Sequence, residues 1–290
     1  MIGATRLALL YLALLLVLAI AGSALAPYDP FALSQEALSP PTVQHLMGTD
    51  NIGRDIFSGI IVGSRTALSV GFFTALVAVM LGVVVGALSG YFGRATDLAL
   101  MRVAEFFQMF PVFFLAIVIV TLTGPGLGKV IIVLGIASWP GIARLVRVSM
   151  LSLKKSEFAE AAIASGCSNQ RLIVRHILPN GVAPAIVAAS FIVGRSILAE
   201  AGLSFLGLGD PSLVSWGQML NNAQQYLTRG WWLALFPGIA IALTVIATNA
   251  LGDALNDFMN PRTRRASEPR ARLAIPLRRQ APKLNQASGS

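Results

Sequence analysis

Apolar residues run along this chain in six long blocks, separated by shorter segments that carry most of the charge. The blocks predict helices over 7–26, 67–89, 103–122, 130–150, 181–199 and 231–251, the fourth interrupted by Pro140. At about 1.5 Å per residue, each can cross roughly 30 Å of hydrocarbon. The fold class is therefore all-α: a polytopic membrane protein with six transmembrane helices. The block at 7–26 ends in a small-residue "SALA" and follows Arg6, as a secretory signal would. Its apolar core exceeds the usual run of about 7–15 residues, so an uncleaved anchor is expected. In the second block Gly82, Gly86 and Gly90 recur at four-residue spacing, which lets another helix backbone approach closely.

One polar segment breaks this pattern: "EFAEAAIASGCSNQRLIVRHILPN", residues 157–180. Ser156 can cap a helix start, and Glu157 suits the positive end of that helix. Phe158, Ala161, Ala162 and Ser165 then fall on one face, small and nearly flat with one aromatic knob. Gly166 ends the helix, and Ser168 can cap a second one running to Ile177. Pro179 opens the next block, where its missing N–H costs little. A helix–glycine–helix elbow at the membrane surface is expected. An ordinary interfacial loop would explain its basic residues. Its small-residue face suits docking into a groove on a partner.

Charge sets the orientation. Of 290 residues only 12% are charged, about half the share in a soluble domain. Most of the 22 Lys and Arg fall on one side: Arg6, Arg94, Arg102, Arg144, Arg147, Lys154, Lys155, Arg171, Arg175 and those after Asn260. Arg54, Arg65, Lys129 and Arg229 fall on the other. The richer side is cytoplasmic by the positive-inside rule, which puts both termini and the elbow there. The same rule accounts for the net charge of +9 without nucleic acid.

The chemistry of catalysis is missing. "TGPGLGKV" lacks the first Gly and the final Ser or Thr of a phosphate loop, so no nucleotide site is assigned to it. "GLSFLG" is one residue too long for a nucleophile elbow. His45 and His176 are the two histidines, and the topology separates them across the membrane. His45 with Asp50 and Asp55 is too loosely spaced for a metal site and is assigned to loop packing. The lone Cys167 makes no internal disulfide. No catalytic, metal or cofactor residues are assigned. Arg195 and Glu200 are charges within or beside a span. Arg195 needs either an ion-pair partner or a wet cavity, and Glu200 can reach the outer interface. Asp253 and Asp257 share a face assigned to surface or subunit contact.

"EAAIASG", nine residues, then "HILP" resembles the EAA loop of ABC-importer permeases. Glu160, Ala161, Ala162, Gly166, Leu178 and Pro179 match its pattern. "RHILPN" is similar to the peptide-transporting branch, and His176 stands where the general pattern has Ile. "HLMGTDNIGRDIFSGIIVGSRTALSVG" (45–71), "GYFG" (90–93), "EAGLSFLGLG" (200–209), "WGQML" (216–220) and "GDALNDFMNPR" (252–262) resemble blocks of the dipeptide, oligopeptide and nickel permeases. Asn256 and Asn260 replace residues usually charged there.

The resemblance implies the type I ABC importer permease fold. It also implies a binding-protein-dependent importer of di- or oligopeptides, with nickel or a metal chelate as the alternative. Implied partners are a homologous permease, two ATP-binding cassette subunits that bind ATP and Mg, an extracytoplasmic substrate-binding protein and the lipid bilayer of the inner membrane. Glu157, Phe158, Glu160, Ala161, Ala162, Ser165 and Gly166 would couple to the ATPase. Arg195 and Glu200 are candidates for the translocation path. The expected organisation is an anchor and extracytoplasmic segment (1–66), a permease core (67–260) with the coupling loop at 151–178, and a basic disordered tail (261–290). An intramembrane enzyme would need a nucleophile and base at one depth. A passive channel would leave the docking loop unexplained.

Overall fold

The computed structural model describes residues 2–259, so the tail expected at 261–290 lies outside the described residues. The described chain is helical: α1 (Ile2–Leu25), α2 (Ile56–Phe92), α3 (Arg94–Gln108), α4 (Val112–Thr123), α5 (Leu127–Lys154), α6 (Glu157–Ala164) and α7 (Asn169–Arg171). A π-helical turn (Leu172–Ile177) follows, then α8 (Leu178–Gly181), α9 (Ala183–Phe205), α10 (Trp216–Ala223) and α11 (Trp232–Met259). Among the described residues α1, α2, α5, α9 and α11 are long and apolar enough to cross a membrane. The α3–α4 pair, bent by 74°, is long and apolar enough for a sixth crossing only when its two helices are taken together.

That bend corrects the straight third span expected at 103–122. Pro111 disfavours helical geometry at the residue before it, so the helix stops before Pro111 and restarts at Val112. Two other spans also differ. The second, expected at 67–89, is the central part of α2, whose 37 residues run through the boundary drawn at residue 66. In the fourth, Pro140 does not interrupt α5, which continues for 28 residues. Pro140 forfeits one helix hydrogen bond, but it is buried, and α5 is held along its length by α2.

The packing of α2 on α5 is the largest helix contact in the fold. It rests on the glycine stripe. A Cβ on Gly82 would lie 2.5 Å from the Ile142 Cβ, and one on Gly90 2.7 Å from the Arg147 carbonyl oxygen. Gly86 is tighter still, against the Ala143 carbonyl. From the other side, a Cβ on Gly135 would meet Val77 at 2.7 Å. Small residues thus let dispersion contacts form backbone to backbone, where lipid offers no hydrophobic drive. α9 packs on α2 and α11. α1 lies against α2 and α11, where the Tyr11 hydroxyl and Thr244 Oγ1 are 3.0 Å apart.

The segment between α1 and α2 folds back on the start of α2. Asp55 caps that helix, accepting from the Ser58 N–H and Oγ, each at 2.7 Å. Its other oxygen meets His45 Nδ1 at 2.9 Å. Asp50 Oδ1 accepts from the N–H groups of Ile52 (2.9 Å) and Arg54 (2.8 Å). Trp232 Nε1 donates to the Thr49 carbonyl at 3.2 Å, tying the segment to α11. His45, Asp50 and Asp55 therefore build the loop, the packing role assigned from the sequence.

Candidate functional site

The elbow stands at the end of the bundle where α2 and α5 finish. α6 closes with a Schellman motif: Gly166 N–H donates to the Ile163 carbonyl at 2.9 Å, and Cys167 N–H to the Ala162 carbonyl at 3.0 Å. Gly166 has φ +78°, a left-handed geometry that suits glycine, and open space around it. The expected break is therefore present. The two expected caps are not formed: Ser156 and Ser168 have extended backbones but no capping side-chain bond. Ser156 Oγ donates instead to the Leu153 carbonyl at 2.5 Å. The second arm is not one regular helix to Ile177, because six of its residues form the π turn.

The two faces of α6 differ. Glu157, Phe158, Glu160, Ala161, Ala164 and Ser165 are exposed, with Phe158 at 42%. Ala159 is fully buried, and Ala162 packs half-buried against the same cluster. Ala162 thus lies on the flank that meets the protein's own core, while Phe158, Ala161 and Ser165 face outward. Ala159, Leu172 and Ile177 join Ala87, Val146, Met150 and Ala185 in one buried cluster, drawn from α2, α5, α9 and the elbow. Burying each large side chain there stabilises by about 1.5–3 kcal/mol, so the elbow is rooted in three spans.

Polar contacts tighten this root. The Tyr91 hydroxyl donates to Asn169 Oδ1 at 2.6 Å. Lys154 Nζ donates to the Tyr91 carbonyl at 2.6 Å and sits 4.7 Å from the Tyr91 ring centre. Arg147 and Asp97 form a two-pronged ion pair, Nε to Oδ1 and Nη2 to Oδ2, each 2.5 Å, joining α5 to α3. Ser89 Oγ donates to the same carboxylate from α2. In the sequence Arg147 and Lys154 register only as inward charge, and no spacing links them to Asp97, Tyr91 or Asn169. Tyr91 lies in the "GYFG" block, which was the available signal.

The two translocation candidates part company. Arg195 is exposed mid-way along α9 and lines a cavity of about 490 Å³ between α5, α9 and the α3–α4 bend. Glu200 does not line it. Its side chain is buried and accepts from Ser204 Oγ at 2.6 Å and Ser215 Oγ at 2.7 Å. It neither reaches an outer interface nor joins Arg195: five residues apart, the two point to different sides of α9. Two hydroxyl donors let a buried carboxylate tie the end of α9 to the start of α10. His45 and His176 lie at opposite ends of α2, and among the described residues no group of three or more His, Cys, Asp or Glu could hold a metal.

The described chain is a helical bundle with one bent helix pair, a glycine-packed centre and a surface elbow rooted in several spans. The chain belongs to the family described as binding-protein-dependent transport system inner membrane component, whose model matches residues 78–265. Its fold is similar to a chain of the MetNI methionine ABC transporter in an inward-facing conformation. That TM-score is 0.56 at 19% identity, over 70% of this chain and 96% of the other. The chain is 42% identical over 226 residues to the dipeptide transport system permease of Alkalihalophilus pseudofirmus, covering 78% of this chain and 74% of the relative. It is 39% identical over 256 residues to the glutathione transport system permease of Pectobacterium atrosepticum, covering 87% and 85%. It is also 38% identical over 261 residues to the dipeptide transport system permease of Bacillus subtilis, covering 89% and 81%.

Proposed function

We propose that this chain is one of two homologous membrane subunits of an ATP-driven importer of short peptides. The observation that carries this is the elbow: an exposed, small-residue helix face whose root is buried among the ends of α2, α5 and α9. A partner that grips the face can move all three spans, because a packed core passes on displacement. ATP and Mg would be bound by two ATPase subunits docked on the elbows, and cargo would be delivered by a substrate-binding protein at the opposite end. The relatives transport dipeptides and glutathione, molecules that share free carboxylates, which favours peptides over nickel.

Vesicles holding the complete transporter with its binding protein should accumulate alanylalanine only when ATP is inside with the ATPases. Uptake that persists without ATP would make this a channel. ATP-dependent uptake of nickel with none of the peptide would move the cargo to the alternative.

The orientation rests on the charge asymmetry, with both termini and the elbow cytoplasmic. Pro211, exposed beyond the far end of α9, offers the contrast. In intact cells a Pro211→Cys variant should react with an impermeant maleimide while Cys167 stays protected. Labelling at Cys167 instead would reverse the orientation and remove the coupling role.

A further inference from the structure

The cavity beside Arg195 has features that together define a ligand chemistry. Arg195 makes no hydrogen bond or ion pair with any described residue. An unpaired guanidinium in the middle of a span is strongly unfavourable in hydrocarbon, so it needs water or an anion beside it. It is the only charged residue lining the cavity, whose wall also carries Gln108 and Ser138 as neutral hydrogen-bonding groups. Among the described residues neither of these makes a hydrogen bond through its side chain.

The second feature is the bend. Val112, the first residue of α4, lines the same cavity, and no side chain caps that helix start. The first N–H groups of a helix have no partner within it, and they form its positive end. Val112 at the start of α4 and the unpaired Arg195 thus line one space, from elements more than eighty residues apart in sequence. Each favours an anion, and a planar guanidinium fork favours a carboxylate. At about 490 Å³ the space is large enough for a two- or three-residue peptide. Gly141 on the wall has open space where a Cβ would stand, so backbone is accessible there.

We propose that this cavity holds the C-terminal carboxylate of a peptide in transit, between the Arg195 guanidinium and the start of α4. The proposal rests on the peptide-importer reading above and adds the part of the cargo that the membrane subunit reads.

The test uses the complete transporter in lipid nanodiscs with Cys167→Ser and Ser138→Cys. The rate of maleimide reaction at the new thiol reports on occupancy. The probes are trialanine and trialanine amide, which differ by the terminal charge. Trialanine should slow labelling, and the amide should need about tenfold more to match it, as loss of one charge-assisted hydrogen-bonded contact implies. Arg195→Gln should abolish that preference, and Arg195→Lys should keep part of it.

Equal protection by both probes would overturn the carboxylate site while leaving the cavity on the peptide path. Failure of both probes to protect, or of the thiol to react, in every nucleotide state would overturn both. Loss of the second permease from Arg195→Gln preparations would assign Arg195 to an ion pair across that interface, and the proposal would fall.

Discussion

Ala161→Trp and Gly166→Leu are expected to abolish uptake and to uncouple ATP hydrolysis from loaded binding protein, while the permease still reaches the membrane. Ala161 is exposed on α6, so an indole there disturbs nothing in the permease and enters whatever grips that face. Gly166 has no neighbour within 4 Å, so space does not exclude a side chain. Its φ of +78° does, because an ordinary residue is held there at a cost of about 1–2 kcal/mol. Letting α6 run on towards α7 relieves that strain and re-aims the outward face.

Ala162 is the control. It packs against the buried cluster, so Ala162→Trp should lower the yield of folded permease rather than act at the partner. The readouts are cargo-stimulated ATPase activity, vesicle uptake and co-purification of the ATPase. Full stimulation and uptake in both Ala161→Trp and Gly166→Leu would show that this elbow does not couple.

Gly86→Leu should destabilise the folded permease itself. A Cβ at this position falls against the Ala143 carbonyl and 2.8 Å from the Val146 Cβ, so backbone and a branched side chain block it. Overpacking a well-filled contact costs about 1–3 kcal/mol, and separating two helix backbones exceeds what a side-chain rotation can absorb. Stability margins of about 5–15 kcal/mol make such a loss visible as a lower melting temperature and yield of the solubilised complex. Gly128→Ala, where an added Cβ meets nothing within 4 Å, should leave both unchanged. Equal stability of Gly86→Leu and the parent would mean that α2 and α5 do not pack through this stripe.

Much of this architecture could be read from the chain because its causes are local. A run of apolar residues is transferred to hydrocarbon whatever its neighbours, so the five unbroken spans were legible at 7–26, 67–89, 130–150, 181–199 and 231–251. Glycine at 82, 86 and 90 announces a close helix contact before its partner is known. Gly166 marks a helix end because its freedom at positive φ belongs to the residue alone. The bend at Pro111 has an equally local cause, but the apolar run continues across it and masks it.

What the tertiary structure alone decided depends on which surfaces meet. Ala161 and Ala162 are identical in type and adjacent, yet one faces out and the other packs on a cluster drawn from α2, α5 and α9. Asp97 finds Arg147 from fifty residues away in the chain. Glu200 and Arg195 look alike in sequence as charges in one span. Ser204 and Ser215 accommodate Glu200 inside the bundle, whereas Arg195 is left facing a cavity bounded by α5 and the start of α4. Transfer energy and backbone preference are properties of a segment, and so the sequence determined the spans and the breaks. Whether a given side chain is buried, paired or open to a ligand depends on elements brought together only by packing, and that the fold decided.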